Sequence, residues 1–342
     1  MKVNQFPDRI IKINSEDYLY FGGTSYLGLP TNPEFQKLLF KNILQWGTAY
    51  GSSRSANIQL TAYENGEQFL ADYIQAEATL TVSSGMLAGK LVIEALTPKT
   101  DCFFHFPDSH PAIKAPNSAP FFIENQLNPR LLDAKSERIT ILTDAVPSLQ
   151  VNPIALEIIH SISNKEITLV IDESHSLGIL GKNGAGIYSE INLPNIKRKI
   201  MVASLGKAFG LTGGVIASDS VFINEMANHD TFVSSAGMNA AFVQTMADAK
   251  ELYYNQNQKL KENLNYINLH LIKNKNLHFN PNYPLIYPEI EGINEIFASN
   301  KIIVTHFKYP TDTKDLNRIV ITANHKKEDL DKIIHILNQN QF

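Results

Sequence analysis

Short apolar runs that stop abruptly alternate along this chain with stretches whose apolar residues recur at helical spacing. Tyr18 to Phe21 reads as a strand closed by Gly22-Gly23, and TSYLGLPTNPEF turns through Gly28 and Pro30 into a helix from about Pro33. A small, polar stretch follows to Ser55, and Tyr63, Gly66, Phe69, Leu70 and Tyr73 then mark a helix to about Gln75. Ala78 to Val82 is a strand, after which Ser83-Ser84-Gly85 opens a helix carrying Leu87, Leu91, Val92 and Leu96 until Pro98 stops it. The strand pattern recurs at Asp101 to Phe106, Phe121 to Ile123 and Ile139 to Thr143. Strands alternating with helices predict an α/β fold with a mainly parallel sheet between helices.

Beyond Asp219 the texture changes. A helix starts at Val221 to Met226, HDTFVSSAGMNAAF interrupts it with polar residues, and a long helical pattern runs from Ala240 to about Lys273, rich in Lys, Asn and Gln on one face. Short strands are expected at Leu277 to Phe279, Ile286, Ile302 to Val304 and Arg318 to Thr322, with helices at Gly292 to Ser299 and Glu328 to Gln339. The expected organisation is an N-terminal arm over residues 1–30, a large domain over 31–240, and a spacer helix with a smaller α+β domain over 241–342.

Composition narrows the partners. The 342 residues carry a net charge of −4, which provides no basic field for nucleic acid. No apolar run approaches the roughly 18 residues of a membrane span, and the first residues lack the apolar core of a signal peptide, so a soluble, cytoplasmic protein is expected. Cys102, the lone cysteine, has no disulfide partner and sits in an apolar run, which fits a buried, inert thiol.

Two of the apolar runs end in reactive side chains. TLVIDESHSLG, beginning at Thr168, stops at Asp172 and continues to His175; KIMVASLGKAFGLTGG, beginning at Lys199, places Lys207 between an apolar run and a glycine-rich turn. A buried lysine loses its charge readily, and a neutral amine attacks an aldehyde to form a Schiff base. Taken alone, Lys207 also suits an exposed turn; a phosphate-binding P-loop is excluded because Ala208 stands where Ser or Thr is required. Asp172 is costly to bury without a cation, and a protonated pyridine nitrogen is one such partner, a helix cap or a metal the others. His175 could pair with a phenolic oxygen or be an ordinary core or surface histidine.

Six short motifs in one order, TSYLGL, GSSR, SSGMLAG, DSHPAI, DESHSLGILGKNGAG and SLGKAFGLTGG, together resemble the α-oxoamine synthase family of fold-type I pyridoxal 5'-phosphate enzymes. The resemblance implies a seven-stranded-type sheet and a homodimer. It also implies an enzyme that condenses a small amino acid, L-alanine or glycine, with an acyl thioester carried by CoA or acyl-carrier protein, with loss of carbon dioxide. An aminotransferase of the same fold and a non-catalytic binding protein are the alternatives.

By the same resemblance Lys207 holds the cofactor aldehyde and moves the α-proton, Asp172 pairs with the pyridinium nitrogen, His175 bonds the ring hydroxyl and His110 stacks on the ring. Ser84, Gly85 and Met86, at a helix N-terminus, and Ser204 would hold the phosphate. Ser234 and Ser235 would supply a hydroxyl from the neighbouring subunit. Arg318 would clamp the amino-acid carboxylate, although an arginine at a strand start can also reach solvent. His325 and Arg54 are read as a surface histidine and a loop-holding arginine.

Departures from the family pattern fall on the acyl side. Thr24 replaces an amide near the substrate carboxylate, Asp144 and Ser148 stand in a run that is longer-acid and proline-free in the family, Ser174 and Ser176 replace Ala and Gly, and Ile58 replaces a glycine. A different pocket wall is expected.

Overall fold

The computed structural model describes residues 1–147, 149–308 and 315–340; Ser148 lies outside them. A seven-stranded sheet runs in the order Ala78–Val82, Gly214–Ser218, Ile196–Ser204, Lys165–Asp172, Glu137–Asp144, Cys102–His105, Ala119–Pro120. The last five are mutually parallel, and Gly214–Ser218 is antiparallel to both neighbours. The expected mainly parallel sheet is therefore present. Runs such as TLVI are buried on both faces because helices and loops cover both sides: Ile167, Leu169 and Ile171 enter one apolar cluster and Val170 enters the other.

A six-stranded sheet follows the order Ile10–Ile13, Glu16–Phe21, Ile302–Lys308, Asp315–Val320, Leu285–Pro288, Leu277–Phe279. Residues expected to form an N-terminal arm are thus hydrogen-bonded to C-terminal strands, with Glu16–Phe21 parallel to Ile302–Lys308. Among the described residues, no helix is long and apolar enough to cross a membrane.

Two local expectations are corrected. Phe121 still donates its N–H to His105 O at 2.8 Å, but Phe122–Ile123 leaves the large sheet and forms a hairpin with Gln126–Leu127, because Glu124 and Asn125 both take positive φ (49° and 63°) and fold the chain back at once. The long pattern from Ala240 is two helices, Ala240–Asp248 and Lys250–His270, which meet at the buried Ala249. Neither Gly nor Pro marks the break; the first helix is turned to pack on Pro33–Trp46 and Thr61–Ile74.

The polar face of Lys250–His270 has an internal use. Gln256 Nε2 donates to Leu27 O at 2.7 Å, and its neighbour Asn257 Nδ2 donates to Gly178 O at 2.9 Å. One helix thereby anchors the loop after Glu16–Phe21 and the loop after Lys165–Asp172, satisfying backbone carbonyls that water cannot reach.

Gly66 shows how closely the supporting helices approach. A Cβ there would lie 2.5 Å from Val243 O, on the facing helix Ala240–Asp248. Although Ala outranks Gly as a helix former, Gly66→Ala is expected to lower the urea unfolding free energy by about 1–3 kcal/mol through overpacking.

Candidate active site

All the candidate polar residues of the large sheet emerge at one edge, where the parallel strands end. Ala78–Val82 leads to Ser84 and Gly85, Cys102–His105 to His110, Glu137–Asp144 to Asp144, Lys165–Asp172 to Asp172 and His175, and Ile196–Ser204 to Ser204 and Lys207. Ligand clefts of open α/β sheets lie at this edge, because the chain leaves the sheet there in loops of free composition.

Asp144 and Asp172 are register partners on adjacent strands. Both are buried, 6% and 5% exposed. Asp172 Oδ1 accepts the Ser174 N–H at 2.8 Å, and His110 Nδ1 stands 4.0 Å from Asp172 Oδ2. Asp144 Oδ2 accepts the His110 N–H at 2.8 Å. Burial first, and then the neighbouring Asp172, push the Asp144 carboxyl up to about 8, so it holds its proton at neutral pH.

Lys207 Nζ lies 2.7 Å from His175 Nε2, and His175 Nδ1 lies 2.8 Å from the hydroxyl of Tyr26. Burial brings the Lys207 amine down to about 8, against the opposing pull of Asp172 and Asp144 and aided by Arg318. Burial, Lys207, Arg318 and His110 hold His175 well below the usual imidazole range. His110 is lowered in the same direction, mainly by burial. The arrangement offers a neutral imidazole beside an amine that gives up its proton more readily than an ordinary lysine.

Between Asp172 and His175 stands Glu173, fully buried, whose carboxylate accepts from Ser176 Oγ (2.7 Å), Ile187 N (2.8 Å) and Tyr188 N (2.7 Å). Burial raises it to about 7. It fixes the loop that carries His175. Ser174 and Ser176, departures in the sequence, are therefore structural: Ser174 Oγ accepts the Ser204 N–H at 2.8 Å and so ties two strand ends together.

The helix Gly85–Leu96 starts against Ser204. Ser84 caps it, accepting the Leu87 N–H at 3.1 Å, and a Cβ on Gly85 would lie 2.8 Å from Ser204 Cα. Only glycine permits that approach, which leaves the N–H groups of Gly85 and Met86 at the positive end of the helix beside Ser204.

A cleft of about 140 Å³ lies over this edge, walled by His110 and His175, by Val146, Pro147, Leu149 and Gln150 after Glu137–Asp144, and by Tyr283, Leu285, Tyr287 and Arg318 from the six-stranded sheet. Arg318 faces Thr305 in register, and Thr305 Oγ1 accepts the Gly23 N–H at 3.3 Å, which puts Thr24 beside the same strand pair. The altered run after Asp144 does form part of the wall.

Some candidates stand apart. Ser234 is exposed at the end of Asp230–Ser234, Ser235 Oγ donates to Thr231 O at 2.5 Å, and among the described residues neither is hydrogen-bonded to the Lys207 cluster. Ile58 is exposed. His325 is not a surface residue: it is 4% exposed, stacked on Phe21 at 4.1 Å, with Nδ1 accepting the Thr322 N–H and Nε2 facing Tyr20 O at 3.0 Å. Arg54 forms a bidentate pair with Glu67 (2.7 and 2.9 Å) under the ring of Tyr63, and so holds the loop as expected.

Tyr26 and the pair Tyr283 and Tyr287 were not singled out from sequence, and Asp144 was read only as part of an altered pocket wall. A signal existed for Asp144, since ITILTD ends an apolar run in an acid as TLVID does. None existed for the tyrosines, whose distance in sequence from Lys207 conceals their approach.

Comparison with known proteins identifies the family and the fold. The family model for aminotransferase class I and II matches residues 151–337. A putative 8-amino-7-oxononanoate synthase of Rippkaea orientalis is 26% identical, over 98% of this chain and 93% of its own length. The 8-amino-7-oxononanoate synthase of Petrotoga mobilis is 29% identical, over 94% of this chain and 88% of its own. A serine palmitoyltransferase from S. paucimobilis, solved with PLP and myriocin, superposes with a TM-score of 0.80 at 17% identity, covering 99% of this chain and 91% of that one. The chain belongs to the aminotransferase class I and II family. Its class is that of a pyridoxal-phosphate-dependent transferase of fold type I, and its relatives group it with the α-oxoamine synthases.

The carboxylate pair sets a pH test. Folded Asp144 keeps its proton to about pH 8, whereas an unfolded aspartate loses it near 3.8, so between those values the folded state binds more protons and stability falls as pH rises. Urea unfolding across this window should show a steeper decline for the wild-type chain than for Asp144→Asn, which retains an acceptor for the His110 N–H and does not titrate.

Proposed function

We propose that this protein is an α-oxoamine synthase that joins a small amino acid to an acyl thioester with release of carbon dioxide and the free thiol, in the manner of 8-amino-7-oxononanoate synthase. The observation that carries the proposal is the convergence of Lys207, Asp172, His175 and the Ser84–Gly85 helix start at one sheet edge, facing Arg318 across a small cleft.

The residues present fit pyridoxal phosphate. Asp172 is a buried carboxylate suited to a ring N–H, and the close approach of Gly85 to Ser204 leaves backbone donors and a hydroxyl where a phosphate can be held. When bound, the cofactor supplies an electron sink for the bond broken at the amino-acid α-carbon. The protein's own contribution is then specific. Lys207, whose amine burial brings down to about 8, would hold the aldehyde and move a proton at Nζ. His175 and His110 stay neutral and so orient by hydrogen bonding and stacking without adding charge. Arg318 receives the amino-acid carboxylate in a bidentate contact, with Thr24 beside it. Val146, Leu149 and Leu285 present an apolar wall, which favours a small, apolar amino-acid side chain and an aliphatic acyl group.

L-Alanine with a pimeloyl thioester is the pair taken by analogy with the named relatives, which would place the product in biotin synthesis. A homodimer, by analogy with the same enzymes, gives Ser234 and Ser235 a role toward the neighbouring subunit's site. The family model also covers aminotransferases, so the assay must separate the two chemistries.

Purified protein loaded with pyridoxal phosphate should release free thiol from an acyl-CoA in the presence of L-alanine, glycine or L-serine, measured with a disulfide reagent across a panel of chain lengths. Amino-dependent conversion of a 2-oxo acid without thiol release would identify an aminotransferase instead. Lys207→Ala should reduce thiol release to background. Arg318→Lys should raise the KM for the amino acid roughly tenfold to a hundredfold, as expected for loss of about 1.5–3 kcal/mol from a charged hydrogen bond.

A further inference from the structure

We propose that Tyr26 sets the direction of the hydrogen-bond chain through His175 to Lys207, so that His175 donates its single ring proton to the Lys207 amine and favours the free base of that amine. Its consequence for catalysis rests on the role proposed for Lys207 above; the hydrogen-bond direction does not.

Tyr26 lies in the loop after Glu16–Phe21 and is 0% exposed. Among the described residues its hydroxyl is hydrogen-bonded to one group, His175 Nδ1, at 2.8 Å. The other ring nitrogen, Nε2, is 2.7 Å from Lys207 Nζ. A neutral imidazole carries one proton, so two arrangements are open. If the proton sits on Nδ1, it donates to the Tyr26 oxygen, Nε2 accepts from a Lys207 ammonium, and the tyrosine's own O–H is left in the interior without an acceptor. If the Tyr26 O–H donates to Nδ1, the ring proton must sit on Nε2, where it donates to the lone pair of a neutral Lys207 amine. The second arrangement leaves no buried donor unpaired, and burial makes unpaired donors costly.

The surrounding charges give the lock something to act against. Asp172 and Asp144 face Lys207 and favour its ammonium, while Arg318 opposes it. Around His175 stand Lys207, Arg318 and His110, all of which favour a neutral ring. Burial raises the Tyr26 hydroxyl well above the usual phenol range, which keeps it a donor. The loop is held in place by Gln256 on the Leu27 carbonyl and by the Ala323 N–H on Tyr26 O at 2.9 Å, so the hydroxyl is aimed at Nδ1 by backbone contacts independent of the histidine. Tyr26 is thus a positioning residue, acting on Lys207 through His175.

Nitrogen-15 NMR of the full-length chain freed of cofactor, with His175 assigned by comparison with His175→Gln, tests the direction directly. Above pH 8, where the Lys207 amine is the free base, we expect the Nε2-protonated tautomer; a Nδ1-protonated His175 there would overturn the proposal without any variant of Tyr26 being needed. In Tyr26→Phe, which keeps the ring and removes the donor, the midpoint for Lys207 arylation by fluorodinitrobenzene should rise by about one pH unit, a roughly tenfold smaller amine fraction at neutral pH. An unchanged midpoint in a variant with wild-type circular dichroism would also overturn it. Failure of the proposed acyl-transfer reaction would appear separately, as absence of thiol release by the unmodified holoenzyme, and would leave the tautomer measurement unaffected.

Discussion

Two aspartates side by side at the end of a parallel sheet govern this structure. Asp144 and Asp172 share a register position on neighbouring strands, both buried, and two adjacent buried carboxylates cannot both be charged without a compensating cation. Relief comes from three directions: Asp144 retains its proton, the backbone N–H groups of His110 and Ser174 donate to the pair, and Lys207 stands close by. A ring nitrogen that needs a carboxylate partner fits the same site.

The site draws on both sheets, and its precision comes from how they are joined. The large sheet supplies the lysine, the aspartates and the histidines; the smaller one supplies Arg318 and the Leu285–Tyr287 wall, and the loop from Glu16–Phe21 delivers Tyr26. Lys250–His270 fastens the loops of Tyr26 and His175 through adjacent residues, Gln256 and Asn257. A shift of the small sheet would displace Arg318, while the Gln256 and Asn257 contacts keep the loop of Tyr26 tied to that of His175. Glu173 resists such movement within the large sheet, since three donors hold its carboxylate in place.

Most of the scaffold was legible in the residue pattern. Ala78–Val82, Lys165–Asp172 and the helix Gly85–Leu96 fall where apolar runs, small-residue turns and Pro98 put them, because those signals are local. The misreadings have non-local causes. Phe122–Ile123 looked like a sheet strand since its apolar character is the same whether it pairs with a distant strand or with its own hairpin. The break at Ala249 follows from packing on two earlier helices, and His325 was taken for a surface residue because nothing nearby in sequence announces Phe21 stacked upon it.

The candidates for the cofactor side could be picked out from the residue pattern. Lys207, Asp172 and His175 sit at the ends of apolar runs, and a strand end can be recognised from its own residues. Only the tertiary structure decided what surrounds them: that Asp144 lies in register with Asp172, that Ser174 bridges to Ser204, and that Tyr26 reaches His175 from 149 positions away. Register and loop docking depend on contacts between segments far apart in the chain, and no periodicity within one segment encodes which partner it will meet.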